Sequence, residues 1–525
     1  MDLLPLRSAA AKGRVDSIPA PSLVAAGFTL LQRCPALVRA LAGKRSGILL
    51  PSSPQFLTAL AASDGRGAVL INPLAAPAEI AYQLQDAAVG AVFTVAALAR
   101  RLPDHIPVVL LDEAPAQALF TISGGDEQRI DLGSHFGLEL EGDADAPGRD
   151  EECAIVYTSA MQGTPLGAIL THRNLIANAR ATVQAAANEP SDHVLALLPF
   201  SHLFGLTVSL VAPLMAGARV TTMPRFNPIA AVDLIEREAI TEVVGVPAIF
   251  AALLAAVARR GGKLNAPALR LCICGGAPLA PELQEQWEAA TGVALRQGYG
   301  LTEASPVALF NRVGSDNVLG SLGLPFPGVR VSVRDPETSA EVPQGSVGEI
   351  CVAGETVFRG YIGEVPAPGA TRFGATGASG PAVPTATDSR SHHSDPTANV
   401  GRNQHSGPTP RDQSRGLRTR DGWLHSGDLG VLREDDRVEF RGVCKEMFTR
   451  NGFNIYPQEI ARVIKAMPGV RDAWAYPIYE PSRENDIGVE LSVDAGSKVT
   501  VADVKAWCEA RLSQYKQPSR VTLLR

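Results

Sequence analysis

Residues 155–175 read IVYTSAMQGTPLGAILTHRNL. The stretch opens on an apolar, β-branched run, Ala154-Ile155-Val156-Tyr157, that suits a buried strand. It breaks into hydroxyls and small residues at Thr158, Ser159, Gly163, Pro165 and Gly167, then resumes as a helical pattern from about His172. Strand, small-residue loop and helix in that order aim backbone N–H groups at a phosphate. Most such turns bind nothing, so a phosphate role for this one depends on partners elsewhere in the chain.

Outward from this stretch the texture is α/β. On the N-terminal side, Ser46 to Pro51, Ala68 to Pro73 and Ala91 to Thr94 read as strands, separated by helical patterns at Gln55 to Ala62 and Pro77 to Ala87. On the other side, a helix from Asn174 to Ala187 precedes strands at Val194 to Pro199, Ala218 to Met223, Thr241 to Val246 and Leu269 to Cys274. Asn227-Pro228 starts a helix with a cap residue and a first-turn proline, and Gly292 closes the helix that begins at Pro281. Alternating strands and helices imply parallel sheet covered on both faces. Beyond about Gly320, short strands with Gly/Pro turns suggest a β-rich subdomain, and the part from about Lys445 reads as a compact α/β domain.

A chain of 525 residues is too long for one ordinary core. Apolar content of 46% with 19% charge is that of a globular protein, and a net charge of −6 leaves no electrostatic footprint for nucleic acid or an anionic membrane. Small-molecule chemistry is the expectation. Seven scattered cysteines fit reduced thiols and a cytoplasmic setting, and the first residues carry charges where a secretory leader would be apolar. Val194 to Ala218 lacks Asp, Glu, Lys and Arg, but Pro199, Ser201, His202 and Pro213 favour a buried strand and helix over a transmembrane span. From Glu364 to Gly416, Pro, Gly, Ser, Thr, Ala, Arg and His dominate; such a segment buries too little surface to offset its ordering entropy, and disorder is expected there, His392-His393 included.

A second anchor is Gln297-Gly298-Tyr299-Gly300-Leu301-Thr302-Glu303. With the loop TSAMQGTPLG, GGAPL at Gly275 to Leu279, LPFSHLFGL at Leu198 to Leu206, HSGD at His425 to Asp428 and NGFNIYPQEI at Asn451 to Ile460, the chain resembles the AMP-forming adenylating superfamily. Within it, the resemblance is to acyl- and aryl-CoA ligases of fatty acyl-CoA synthetase type. It implies an α/β protein with a large N-terminal domain of parallel α/β sheets and a β-rich subdomain (1–443, with the insert 364–416), plus a small mobile C-terminal α/β domain (444–525). It also implies ATP-dependent activation of a carboxylic, fatty-type acid and transfer of the acyl group to CoA, with Mg²⁺ as cofactor. A carrier-protein thiol or an amine is the alternative acceptor, and a non-catalytic nucleotide- or acyl-binding protein is the rival class.

Residue by residue, the resemblance gives Thr158, Ser159 and Gly163 to the phosphates, Thr302 to a phosphate oxygen and Glu303 to Mg²⁺, a hard cation suited to a carboxylate. Tyr299, flanked by Gln297, Gly298 and Gly300, offers adenine a flat face, while Gly275, Gly276 and Ala277 leave room for its edge. Asp428 accepts the ribose hydroxyls, and His202 lies between nucleotide and acyl group. Lys445 matches the hinge, and the loop with Gly452 reaches the thiol's path.

Departures from the family pattern concern phosphate. The usual loop is TSGTTGxPKG; here Ala160, Met161 and Gln162 replace Gly-Thr-Thr, and Leu166 replaces the lysine. Val443 stands where an arginine usually precedes the hinge, and no residue up to Arg525 matches the family's C-terminal lysine, so the C-terminal domain reads as truncated. Losing a charge-assisted donor to a developing phosphoryl charge costs about 10²–10³ in rate. An adenylating half-reaction weaker than the thioester-forming half is the expectation.

Overall fold

The computed structural model describes residues 13–63, 67–112, 117–121, 127–132, 150–158, 165–364, 419–420, 422–444, 448–450, 453–478, 485–494 and 496–524. Apart from Glu364, the segment expected to be disordered lies outside these residues.

The opening stretch departs from its reading as strand, loop and helix. Glu152–Thr158 is a strand, but Leu166–Thr171 is a second one, paired antiparallel to it with Leu166 opposite Thr158 and Ala168 opposite Val156. Only then does helix His172–Ala186 begin, its first turn closed by a reciprocal Thr171–Asn174 capping box. The physical reason is sheet continuity: Leu166–Thr171 pairs on its other side with Gly360–Tyr361, so it is saturated as a strand. Gly167 permits that approach, since a Cβ there would lie 2.7 Å from Ile362. The helix N-terminus therefore sits a strand's length away from the loop.

Around this hairpin, Ala68–Leu70, Arg45–Leu49, Val89–Thr94 and Val108–Leu110 pair in parallel with one another, and Ala68–Leu70 pairs in parallel with Glu152–Thr158. Gln117–Thr121 and Glu127–Asp131 extend this sheet in antiparallel fashion, so it is mixed and not purely parallel. A second sheet orders Arg219–Thr222, His193–Ala196, Glu242–Gly245, Leu271–Cys274 and Leu295–Gly300 in parallel. It continues antiparallel through Val307–Phe310 and Ser321–Pro325 into the short strands from Val329 to Val443, the β-rich part. The central strands His193–Ala196, Glu242–Gly245 and Leu271–Cys274 are buried along their length, which is why this part of the sheet reads as apolar runs.

The stretch Val194 to Ala218 forms strand His193–Ala196, a π-helical segment Phe204–Val211 and helix Ala212–Ala216. Among the described residues no helix is long and apolar enough to cross a membrane. Asn227 caps helix Pro228–Arg237 with its side-chain oxygen, and Gly292 ends helix Pro281–Thr291 at φ +73°. Phe448 to Leu523 gather a separate core, including Ile455, Ile460, Ile487, Val489 and Cys508, under a sheet of Val470–Ile478, Asp486–Val493 and Arg520–Leu524.

Candidate active site

One cavity of about 800 Å³ opens where the C-terminal ends of the second sheet's parallel strands face the first sheet, and Phe453, Tyr456 and Tyr515 of the C-terminal part complete its wall. Thr158, His202, Gly275, Gly276, Ala277, Gln297, Gly298, Tyr299, Gly300, Thr302, Glu303 and Asp428 all line it. Ser159, Gly163, Lys445 and Gly452 lie outside the described residues.

At one end, Tyr299 emerges from strand Leu295–Gly300 and donates its phenol proton to Asp428 Oδ2 at 2.7 Å. Burial, then the Asp428 charge, pushes the Tyr299 phenol well up, so it stays a donor. Asp428 is steadied from below: Glu349 accepts from the Gly427 N–H at 2.7 Å and bonds His425 Nδ1 at 2.9 Å. Cys351 joins that buried cluster, within 4.8 Å of both. Its thiol is pushed up to about 12 by burial and by the Glu349 charge, and both Glu349 oxygens are occupied, so the cluster acts as a brace under the Asp428 loop. The floor is glycine by necessity: a Cβ on Gly275 would lie 3.1 Å from the Gly298 carbonyl, and one on Gly300 2.0 Å from the Pro306 carbonyl.

At the other end, Glu303 sits in the single turn Thr302–Ala304, only 5% exposed. Its Oε1 accepts from Tyr361 Oη at 2.6 Å and from Thr158 Oγ1 at 3.4 Å. A buried carboxylate held this way, with hydroxyls beside it, fits a hard cation. Tyr361 carries none of the motifs and escaped the sequence reading; it reaches Glu303 through the pairing of Gly360–Tyr361 on Leu166–Thr171.

His202 stands between the polar ends and an apolar wall of Phe204, Val208, Val246, Ile249 and Ile273. Burial pushes it down to about 4, which keeps the imidazole neutral. Asn72 was also missed. Its Oδ1 accepts from the Leu74 N–H at 2.9 Å, which turns Nδ2 toward His202 Nε2 at 3.4 Å and assigns the ring proton to Nδ1. Phe453 lies 5.1 Å from the His202 ring and stacks on Tyr515 at 4.0 Å. Leu166 packs half-buried against the main core, and Val443 lines the cavity opposite Asp428 in the strand register. Neither supplies a cation. Among the described lining residues the charged side chains are Arg225, Glu303 and Asp428, and Arg225 is exposed at the rim.

Comparison with known proteins gives the class of the chain. The AMP-binding enzyme family matches residues 36–362, and the chain belongs to that family. Feruloyl-CoA synthase of Amycolatopsis sp is 29% identical over 490 residues, covering 91% of this chain and 84% of the relative. The long-chain-fatty-acid–CoA ligase of Bacillus subtilis (strain 168) is 24% identical over 503 residues, covering 91% and 81%. A solved structure of o-succinylbenzoate CoA synthetase from Bacillus subtilis, bound with a product analogue, aligns at a TM-score of 0.75 with 21% identity, over 100% of this chain and 95% of that one.

Proposed function

We propose that the protein is an ATP- and Mg²⁺-dependent acid–CoA ligase acting on aliphatic, fatty-type monocarboxylic acids. The observation that carries this is the single cavity in which Tyr299 and Asp428, Glu303 with Thr158, and the apolar wall meet around a neutral His202. Asp428 accepts the ribose hydroxyls, and Tyr299 lies along adenine. Glu303 and Thr302 face the phosphates; Glu303 would hold Mg²⁺, which would supply positive charge against the phosphate oxygens. A carboxylate oxygen of the acid attacks the α-phosphorus as the bond to pyrophosphate breaks. The CoA sulfur then attacks the acyl carbon; AMP leaves with the bonding electron pair and the thiol proton is released. His202, uncharged with a proton on Nδ1, offers a hydrogen bond without adding a cation that would favour the free acid's carboxylate over the uncharged acyl carbonyl of the adenylate.

What the wall lacks supports this choice of acid. The side chains of Phe204, Val208, Val246, Ile249 and Ile273 carry no hydrogen-bonding group for a phenolic hydroxyl, and among the described lining residues Arg225 is the one basic side chain that could meet a second carboxylate, exposed at the rim. Octanoate, dodecanoate, ferulate and malonate are therefore to be compared for AMP, pyrophosphate and acyl-CoA release. The fatty acids should outrank the other two, and a lead for ferulate or malonate rejects the assignment. With Leu166 and Val443 where the family carries cations, synthetic dodecanoyl-adenylate plus CoA should give dodecanoyl-CoA faster than dodecanoate, ATP and CoA do.

A further inference from the structure

Lys516 lies in the turn Gln514–Lys516, 5% exposed, with Nζ 2.7 Å from Glu459 Oε1 and 3.0 Å from Glu79 Oε1. The two carboxylates differ in origin. Glu459 is in helix Pro457–Lys465, within the same small core as Lys516, whereas Glu79 is in helix Pro77–Asp86 beside the first sheet. Ser513 also donates to Glu79 Oε2. Glu79 is held in place independently, because its Oε2 accepts the Ala76 N–H at 2.8 Å and so caps its own helix.

The residue before Lys516 is Tyr515, which stacks on Phe453, and Phe453 reaches His202. The side chain that engages Glu79 is thus one position from the pair that roofs the cavity. The core from Phe448 to Leu523 shares no buried residue with the other cores, so this part can shift as a unit, and a polar contact is what registers it. Burial alone would lower the Lys516 ammonium, but the Glu459 and Glu79 charges outweigh it and hold the pKa up. The Lys516–Glu459 pair survives any rigid displacement of the C-terminal domain. The Lys516–Glu79 pair does not.

We propose that Glu79 is a positioning residue: its carboxylate latches Lys516 and thereby seats Phe453 and Tyr515 over His202 for acyl transfer to the thiol. This rests on the ligase reading above. In that step the C–S bond forms as the acyl–phosphate bond breaks, AMP takes the electron pair, and Glu79 exchanges no proton.

The test uses the full-length protein and two separate rates. One is dodecanoyl-CoA formation from synthetic dodecanoyl-adenylate and CoA in a single turnover; the other is dodecanoate-dependent exchange of pyrophosphate into ATP. Glu79→Gln keeps an oxygen for the Ala76 N–H but loses the charge. It should slow the first rate about tenfold or more and leave the second within about twofold. Glu79→Asp, which retains the charge, should recover part of the loss, and it carries the comparison alone if the glutamine variant melts early. Equal loss of both rates, or loss of neither, overturns the latch. A wild-type protein that makes no dodecanoyl-CoA from the adenylate overturns the ligase reading, and the latch with it.

Discussion

Tyr361 gives its phenol proton to Glu303 Oε1, the oxygen that Thr158 Oγ1 also reaches. Removing that bond leaves the carboxylate able to rotate, so its grip on a cation weakens before its charge is lost. Tyr361→Phe should raise the Mg²⁺ concentration needed for half-maximal adenylation severalfold and lower the maximal rate about tenfold, with the KM for the fatty acid unchanged. A Mg²⁺ titration of pyrophosphate release checks this; an unaltered titration curve would mean that Thr158 alone orients Glu303. Nothing in the sequence near Gly360-Tyr361 advertises the role, because the residue acts across a sheet and not along a motif. YGLTE and HSGD, by contrast, are short contiguous motifs that carry Tyr299 at the end of strand Leu295–Gly300, Glu303 in the turn after it and Asp428 within strand Trp423–Leu432, and their resemblance to a family pattern is why those three were legible.

At the scale of single elements, Glu242 is the outlier. It opens a parallel strand, fully buried, with one oxygen bonded to Asn188 Nδ2 at 2.7 Å. Burial first, then the Asp192 charge, pushes it up from its ordinary 4.5 to about 8. The folded state thus holds this proton more tightly than the unfolded chain. Its stabilising share is complete below about pH 4.5 and is lost as pH rises through about 8. Thermal melts of Glu242→Gln should show a flatter decline across that interval than wild type, and parallel curves would refute the buried-proton reading. The hairpin at 152–171 teaches the complementary lesson. A six-residue run such as Leu166–Thr171, buried without a break after its first residue, is too short to distinguish strand from the start of a helix, and the deciding partner, Gly360–Tyr361, lies far along the chain.

For the whole molecule, two kinds of adhesion hold the parts together. The two large sheets share one continuous core, with Leu50, Leu198 and Cys272 in the same cluster, so they should unfold together. The C-terminal core stands apart and meets helix Pro77–Asp86 through Lys516, Ser513 and Glu79. Calorimetry of the intact protein should therefore resolve two transitions, with Glu79→Gln lowering that of the smaller unit and sparing the larger. A single transition that shifts as a whole would show the units to be one cooperative block. The contact itself could not be anticipated: Glu79 reads as an ordinary capping carboxylate and Lys516 as a surface lysine until the fold brings them together.

The bond from Tyr361 to Glu303 has one more consequence. At the phosphate end of the cavity Glu303 is the one carboxylate among the described lining residues, and half of it is already committed. Magnesium demands a near-octahedral oxygen shell and sheds its waters reluctantly. If Glu303 holds Mg²⁺ as proposed, most of that shell would come from phosphate oxygens and solvent. On the proposed reading, a cation held at Glu303 would arrive with its nucleotide and leave with it, a passenger of each turnover and not a fixture of the protein.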